Sequence, residues 1–182
     1  MELISPEYLH PSFGRFPHHQ VLSRLGREAS TYLEIGVQDG DSVVAVIQEN
    51  LDLALTMCDT WGPHHGGTDR KSHDHVHQRL NQLGHRGKRV YLDGDSTKLI
   101  PTLVQGFDLV HIDGDHSYEG CKADLRNCWP LTERWLVIHD MFFGEVRNAV
   151  FQFLEWNMPD IATISMSAYD HGTMVIERQE RG

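Results

Sequence analysis

Short apolar runs recur along the chain, and each ends abruptly in acids, glycines or histidines. The plainest is Phe107 to Glu119, FDLVHIDGDHSYE, where Leu109, Val110 and Ile112 precede Asp113, Asp115, His116, Tyr118 and Glu119. A run that is apolar on both faces suits a strand buried between helix layers, and the change after Ile112 marks where that strand leaves the core. Trp135 to Asp140 (WLVIHD) repeats the design and ends in His139 and Asp140. Thr31 to Val37, Leu53 to Cys58 followed by Asp59, and Lys88 to Leu92 closed by Asp93, Gly94, Asp95 and Ser96 read as three further strands. Helical spacing fills the intervals: His18 to Ala29 through Val21, Leu22 and Leu25, then Val43, Val44, Val46 and Ile47 after Gly40, Asp41 and Ser42. It returns at Val76, Leu80 and Leu83, in a short turn to Ile100, over Ser117 to Cys128, and over Gly144 to Asn157.

The ending differs. Ile161 to Ser167 and Thr173 to Glu177 are β-prone runs separated by Tyr169, Asp170, His171 and Gly172, so a hairpin closes the chain. Strands alternating with helices before a terminal hairpin predict an α/β fold. Its form is a Rossmann-like, doubly wound, seven-stranded mixed sheet, mainly parallel with a C-terminal antiparallel hairpin. The pattern shows no internal repeat or linker, and 182 residues suit a single domain over 1–182. Residues 1–30 read as an irregular, proline-bearing lead-in and a helix. Ligands of such sheets bind at the C-terminal ends of the strands, which brings Asp113, His116, His139 and Asp140 to one edge.

The net charge of −10 works against a partner that presents phosphates, so nucleic acid is not expected. Thirteen histidines, several of them between His64 and His77, make that charge sensitive to pH between about 5 and 7. Cys58, Cys121 and Cys128 are odd in number and lack CxxC spacing, which indicates a reducing compartment. A basic start with a sustained apolar segment is lacking, and no run approaches the roughly 20 apolar residues of a membrane span. The expectation is a cytoplasmic protein without membrane contact.

Glu34 to Ser42 follows a strand and opens a helix, the context in which Gly36 and Gly40 let a ligand approach the backbone and free N–H donors. The full GxGxxG is lacking, and alone this turn fits any βα turn of a doubly wound fold. Glu34 suits an ammonium group, Asp59 stands where a carboxylate holds ribose hydroxyls, and Asp95 with Ser96 can meet an adenine edge. Together they describe a nucleoside with an amino-acid tail, and S-adenosyl-L-methionine fits that description.

The motif ExGxxxGxS at Glu34 to Ser42, the acid Asp59, GDS at Gly94 to Ser96, and HIDGDHSYEG followed by VIHD resemble a class I S-adenosylmethionine-dependent methyltransferase. The similarity is to methyltransferase family 24, related to macrocin- and mycinamicin-type sugar O-methyltransferases and distantly to catechol O-methyltransferase. The resemblance implies a cofactor site of Glu34, Gly36, Gly40, Ser42, Asp59, Asp95 and Ser96. It implies a divalent metal, Mg2+ or Mn2+, on Asp113, His139 and Asp140, and catalysis by Asp113 with His116 as proton acceptor. His139 departs from the acid or amide common at its place, so a second-layer role or a softer metal stays open. The implied substrate is a small hydroxylated acceptor, a sugar or natural-product hydroxyl, and a homo-oligomer is left open.

The chemistry explains the residue types. An alcohol hardly ionises at neutral pH, so a metal on its oxygen and a nearby base are what make it a nucleophile. Asp115 reads either as a further oxygen ligand or as the cap of the helix near Ser117, with the cap favoured. The His64, His65, His73, His75 and His77 cluster reads as a solvated or substrate-facing loop in preference to a separate metal site. Trp61 either stacks on a ligand or packs. Two other readings stay open: a metal-dependent hydrolase on the same sheet edge, and a non-catalytic binder of S-adenosylmethionine.

Overall fold

The computed structural model describes residues 16–62 and 73–179. The lead-in 1–15 and the stretch holding His64 and His65 lie outside the described residues. The elements run α1 (His18–Glu28), β1 (Thr31–Ile35), α2 (Asp41–Val46), β2 (Ala54–Asp59), α3 (His73–Gln82), β3 (Arg89–Asp93) and α4 (Ser96–Leu99). They continue with β4 (Phe107–Ile112), α5 (Tyr118–Cys128), β5 (Thr132–Ile138), α6 (Gly144–Asn157), β6 (Ile161–Ser167) and β7 (Thr173–Arg178). The seven strands form one sheet in the order β3-β2-β1-β4-β5-β7-β6. β1 pairs in parallel with β2 and β4, while β7 runs antiparallel to both β5 and β6. The fold class read from the sequence is the one observed.

Alternation along each strand divides the core in two. Leu33, Ile35, Val110, Ile112, Leu136 and Ile138 face α5 and α6, whose Cys121, Leu125, Val146, Val150 and Phe153 close that layer. Tyr32, Leu55, Met57, Leu109 and Val137 face α1, α2 and α3 through Val21, Leu22, Val43, Val46, Val76 and Leu80. Each fully buried aliphatic side chain of this kind contributes roughly 1.5–3 kcal/mol of transfer free energy. With both faces covered, polar chemistry is confined to the strand ends.

Those ends lie level. Ile35 pairs with Cys58 and Ile112, and Ile112 pairs with Ile138, so the residues that follow emerge side by side. β1 stops at Ile35, two residues short of the apolar run, because Gly36 turns the chain at φ +84°. β5 begins at Thr132 and ends at Ile138, leaving His139 and Asp140 beyond the ladder, with Asp140 at φ +57°. A non-glycine residue in that region marks strain of the sort found at functional sites. Ser117 caps α5 by accepting from Gly120 N at 3.1 Å, so the cap expected of Asp115 belongs to Ser117. Asp115 instead accepts from Ser117 N at 2.9 Å, one turn earlier.

A Cβ on Gly36 would stand 1.9 Å from the carbonyl oxygen of Asp113. Gly36→Ala is therefore expected to destabilise the protein by roughly 2–5 kcal/mol, from left-handed strain and overpacking together. Urea unfolding checks this, and a loss below 1 kcal/mol, on the order of a surface change, would contradict the packing described.

Candidate active site

The switch in chain order between β1 and β4 opens a crevice at the C-terminal edge of the sheet. It holds a cavity of about 480 Å³ walled by Gly36 and Gln38 after β1, Cys58 and Asp59 of β2, and Gly94 to Thr97 after β3. Asp113 to Ser117, with Gly120 and Asp124 of α5, complete it. Of the residues expected to hold a nucleoside, Gly36, Asp59, Asp95 and Ser96 line this cavity.

Asp59 has a second task. One carboxylate oxygen accepts from the N–H groups of Val37 at 2.8 Å and Gln38 at 2.9 Å, and the other from Trp61 N at 2.8 Å. It thus clamps the β1 turn to the end of β2. Asp95 caps α4, accepting from Thr97 N at 2.9 Å. Ser96 donates to Asp124 Oδ1 at 2.6 Å.

Glu34, Gly40 and Ser42 do not line the cavity. Glu34 is fully enclosed on the α1–α3 face, where it accepts from Tyr32 Oη at 2.9 Å and from the Ser42 hydroxyl and faces His111 Nδ1 at 3.3 Å. A direct contact between Glu34 and a ligand ammonium does not fit that enclosure. Gly40 precedes α2 at φ +78°, and a Cβ there would approach Val76 to 3.0 Å.

Beyond β4 and β5, two carboxylates and two imidazoles alternate around a ring. His116 Nε2 lies 3.4 Å from Asp113 Oδ1 and 3.0 Å from Asp140 Oδ2. His139 Nδ1 lies 3.3 Å from Asp113 Oδ2 and 3.7 Å from Asp140 Oδ1. Burial would raise the pKa of Asp113, but hydrogen bonds with His116 and His139 hold it well below the ordinary carboxylate range. His116 is raised, chiefly by its hydrogen bond with Asp113 and also by the charge of Asp140, against partial burial. In His139 burial works downward and is outweighed by Asp113 and Asp140, so it too is raised.

The donor set suits a divalent cation. His139 Nε2 meets the carbonyl oxygen of Asp170 at 2.6 Å, and a carbonyl only accepts. A proton therefore sits on Nε2, which leaves Nδ1, the nitrogen beside Asp113, as the one that would turn to a metal once its own proton is lost. Asp113, His116 and Asp140 form one group whose donor atoms lie within 4.8 Å of one another, and His18, Asp113 and His139 form another.

A protein family described as a methyltransferase domain matches residues 33–141, which span β1 to the end of β5. The chain belongs to this methyltransferase family. The family reading drawn from the motifs and the enzyme class it carries are thereby shown, and the hydrolase reading falls away. No sequence among curated proteins matches the chain. Solved structures share its fold. A putative O-methyltransferase from Klebsiella pneumoniae is 18% identical with a TM-score of 0.67, covering 88% of this chain and 79% of that one. The S-adenosylhomocysteine-bound methyltransferase PaMTH1 of Podospora anserina gives 15%, 0.66, 88% and 76%. TomG, the O-methyltransferase of tomaymycin synthesis in Streptomyces achromogenes, bound to S-adenosylmethionine, gives 19%, 0.66, 88% and 78%.

Sequence reasoning about this methyltransferase missed several residues around the site. His18 and His111 are 4% and 0% exposed, and their rings stand 4.9 Å apart. His111 opens the HIDGDHSYEG motif without having been read as part of the site, whereas no local motif marks His18. Phe143, itself exposed, lies 5.3 Å from the His116 ring. Burial pushes the Cys58 and Cys121 thiols up to about 12, so neither serves as a nucleophile.

Asp124, 1% exposed behind Ser96, is the other omission; the spacing from Ser117 along α5 was its only signal. Burial raises it to about 6 from 3.8, with the Ser96 hydrogen bond opposing and Asp115 and Asp95 adding. The folded protein thus holds this proton more tightly than the unfolded chain. Stability contributed by the neutral form is lost as pH rises from about 4 through about 6. Asp124→Asn is expected to be more stable than the parent at pH 7.5 by roughly 1–3 kcal/mol, with the difference gone below about pH 4. Thermal unfolding across that range checks it, and equal behaviour at every pH would contradict the burial argument.

Proposed function

We propose that this methyltransferase transfers the methyl group of S-adenosyl-L-methionine to the oxygen of a small hydroxylated acceptor, a sugar or natural-product hydroxyl. The observation that carries this is the meeting of two features at one switch point. The glycine turn of β1 and the acid–imidazole ring beyond β4 and β5 are in backbone contact at Gly36 and Asp113. A cofactor in the cavity would lie against Asp113 and His116 of that ring. TomG and PaMTH1, with their cofactor forms bound and the same fold, support the cofactor, and TomG supports a natural-product acceptor.

Gly36, Asp59, Asp95 and Ser96 line the nucleoside part of the cavity, while Glu34 and Ser42 hold the turn from behind. Asp113, His139 and Asp140 would hold a divalent cation, Mg2+ or Mn2+. When bound, the cation lowers the pKa of the acceptor hydroxyl and fixes its orientation. His116, in its neutral form, takes the proton. It lies on the half-exposed side of the ring, and the adjacent Asp113 and Asp140 carboxylates stabilise the imidazolium that forms. The methyl carbon bonds to the acceptor oxygen as its bond to sulfur breaks, and S-adenosylhomocysteine leaves as a neutral thioether. In-line placement of oxygen, carbon and sulfur supplies much of the remaining acceleration.

Exposed Phe143, packed on His116, offers an apolar ring suited to the flat face of an acceptor. The charge of −10 favours a small acceptor over nucleic acid. Among the described residues no helix is long and apolar enough to cross a membrane. A cytoplasmic enzyme accords with its three free, buried cysteines.

Transfer of labelled methyl from S-adenosylmethionine to a panel of sugars and phenols tests this reading. Asp113→Ala is expected to abolish metal-stimulated transfer while leaving S-adenosylhomocysteine affinity nearly unchanged. Unaltered turnover would sink the assignment. His116→Ala should lower kcat by about 10²–10⁴-fold with metal still bound. Release of metal would make His116 a ligand instead of the base.

A further inference from the structure

His18 opens α1 and is 4% exposed, its ring 4.0 Å from that of His139. Its Nδ1 lies 3.0 Å from Thr173 Oγ1, whereas its Nε2 is buried with no hydrogen-bond partner. A buried polar nitrogen left unpaired is costly, and native proteins rarely keep one without a reason. One nitrogen of His18, one of His139 and one oxygen of Asp113 lie within 4.8 Å of one another. Since Thr173 occupies His18 Nδ1 and Asp170 occupies His139 Nε2, the nitrogens left to a metal are His18 Nε2 and His139 Nδ1, the latter beside Asp113 at 3.3 Å. Both of those oxygens can accept an N–H, so with a metal bound both remaining nitrogens would serve as lone pairs.

We infer that His18 is a further ligand of the metal centre, adding a second imidazole beside His139 and Asp113, and that this nitrogen-bearing set selects Mn2+, Fe2+, Co2+ or Zn2+ over Mg2+. The inference rests on the metal-assisted reading above and deepens it. Mg2+ prefers oxygen donors and gives up water reluctantly, whereas imidazole suits the transition ions. The β6–β7 turn supports both histidines. Asp170 takes His139 through its carbonyl and the His18 backbone N–H through Oδ2 at 3.3 Å, and Ser167 donates to the Phe16 carbonyl at 2.6 Å. The start of α1 is thus part of the metal site, although nothing in its local sequence resembles a metal motif.

Pulsed electron paramagnetic resonance of the full chain loaded with Mn2+ counts the coordinated imidazole nitrogens directly. Two are expected in the wild type and two in His116→Ala, with one in His18→Gln. The His18→Gln variant should also bind Mn2+ more than about tenfold more weakly. Its S-adenosylhomocysteine affinity should be unchanged, which shows that the fold is intact. One nitrogen in His116→Ala overturns the inference without recourse to any His18 variant. Two nitrogens and undiminished affinity in His18→Gln also overturn it while leaving the metal-assisted reading standing. If the wild type binds S-adenosylhomocysteine but no Mn2+, both fall together.

Discussion

At Gly36 the backbone of one βα turn lies directly against the backbone of another. Asp113 N donates to Ile35 O at 2.9 Å, Gly36 N to Cys58 O at 3.0 Å, and His139 N to Ile112 O at 3.1 Å, so the ladder extends one residue past three strand ends. That extension holds the turn after β1, the acid after β4 and the imidazole after β5 at one level. Because Asp113 O would meet any Cβ at residue 36, only glycine permits the approach. The cavity and the acid–imidazole ring share a wall for this reason, and neither can shift without the other.

Behind that wall the core is polar. Tyr32, Glu34 and His111 alternate onto the α1–α3 face with Leu55 and Met57, and Ser42 and His18 reach them from the helices. In a medium of low dielectric such a network is rigid where satisfied and costly where not. Glu34 is satisfied by three neighbours, which makes it a brace for the turn that carries Gly36. Within this network the nitrogens without a hydrogen-bond partner are His18 Nε2 and His111 Nε2.

Most of the fold was legible because strands covered on both faces have to be apolar runs, and α6 and β6 were read to their observed bounds. The start of β5 was not, since Thr132, Glu133 and Arg134 carry no apolar signal where the strand overhangs the core. Within the site, the polarity break after Ile112 located Asp113 and His116 correctly at the sheet edge. Glu34, expected to meet a ligand ammonium, lies by strand parity on the same face as Tyr32 and does not line the cavity. His18, His111 and Asp124 act through contacts distant in sequence, and a single buried histidine or aspartate carries no local mark of that.

The central claim is that the crevice between β1 and β4 holds an S-adenosyl group. Calorimetric titration of the protein with S-adenosylhomocysteine, with and without Mg2+ or Mn2+, tests it most directly. The account predicts binding with a Kd on the order of micromolar, equivalent to about 8 kcal/mol. Absence of binding under every metal condition would contradict it.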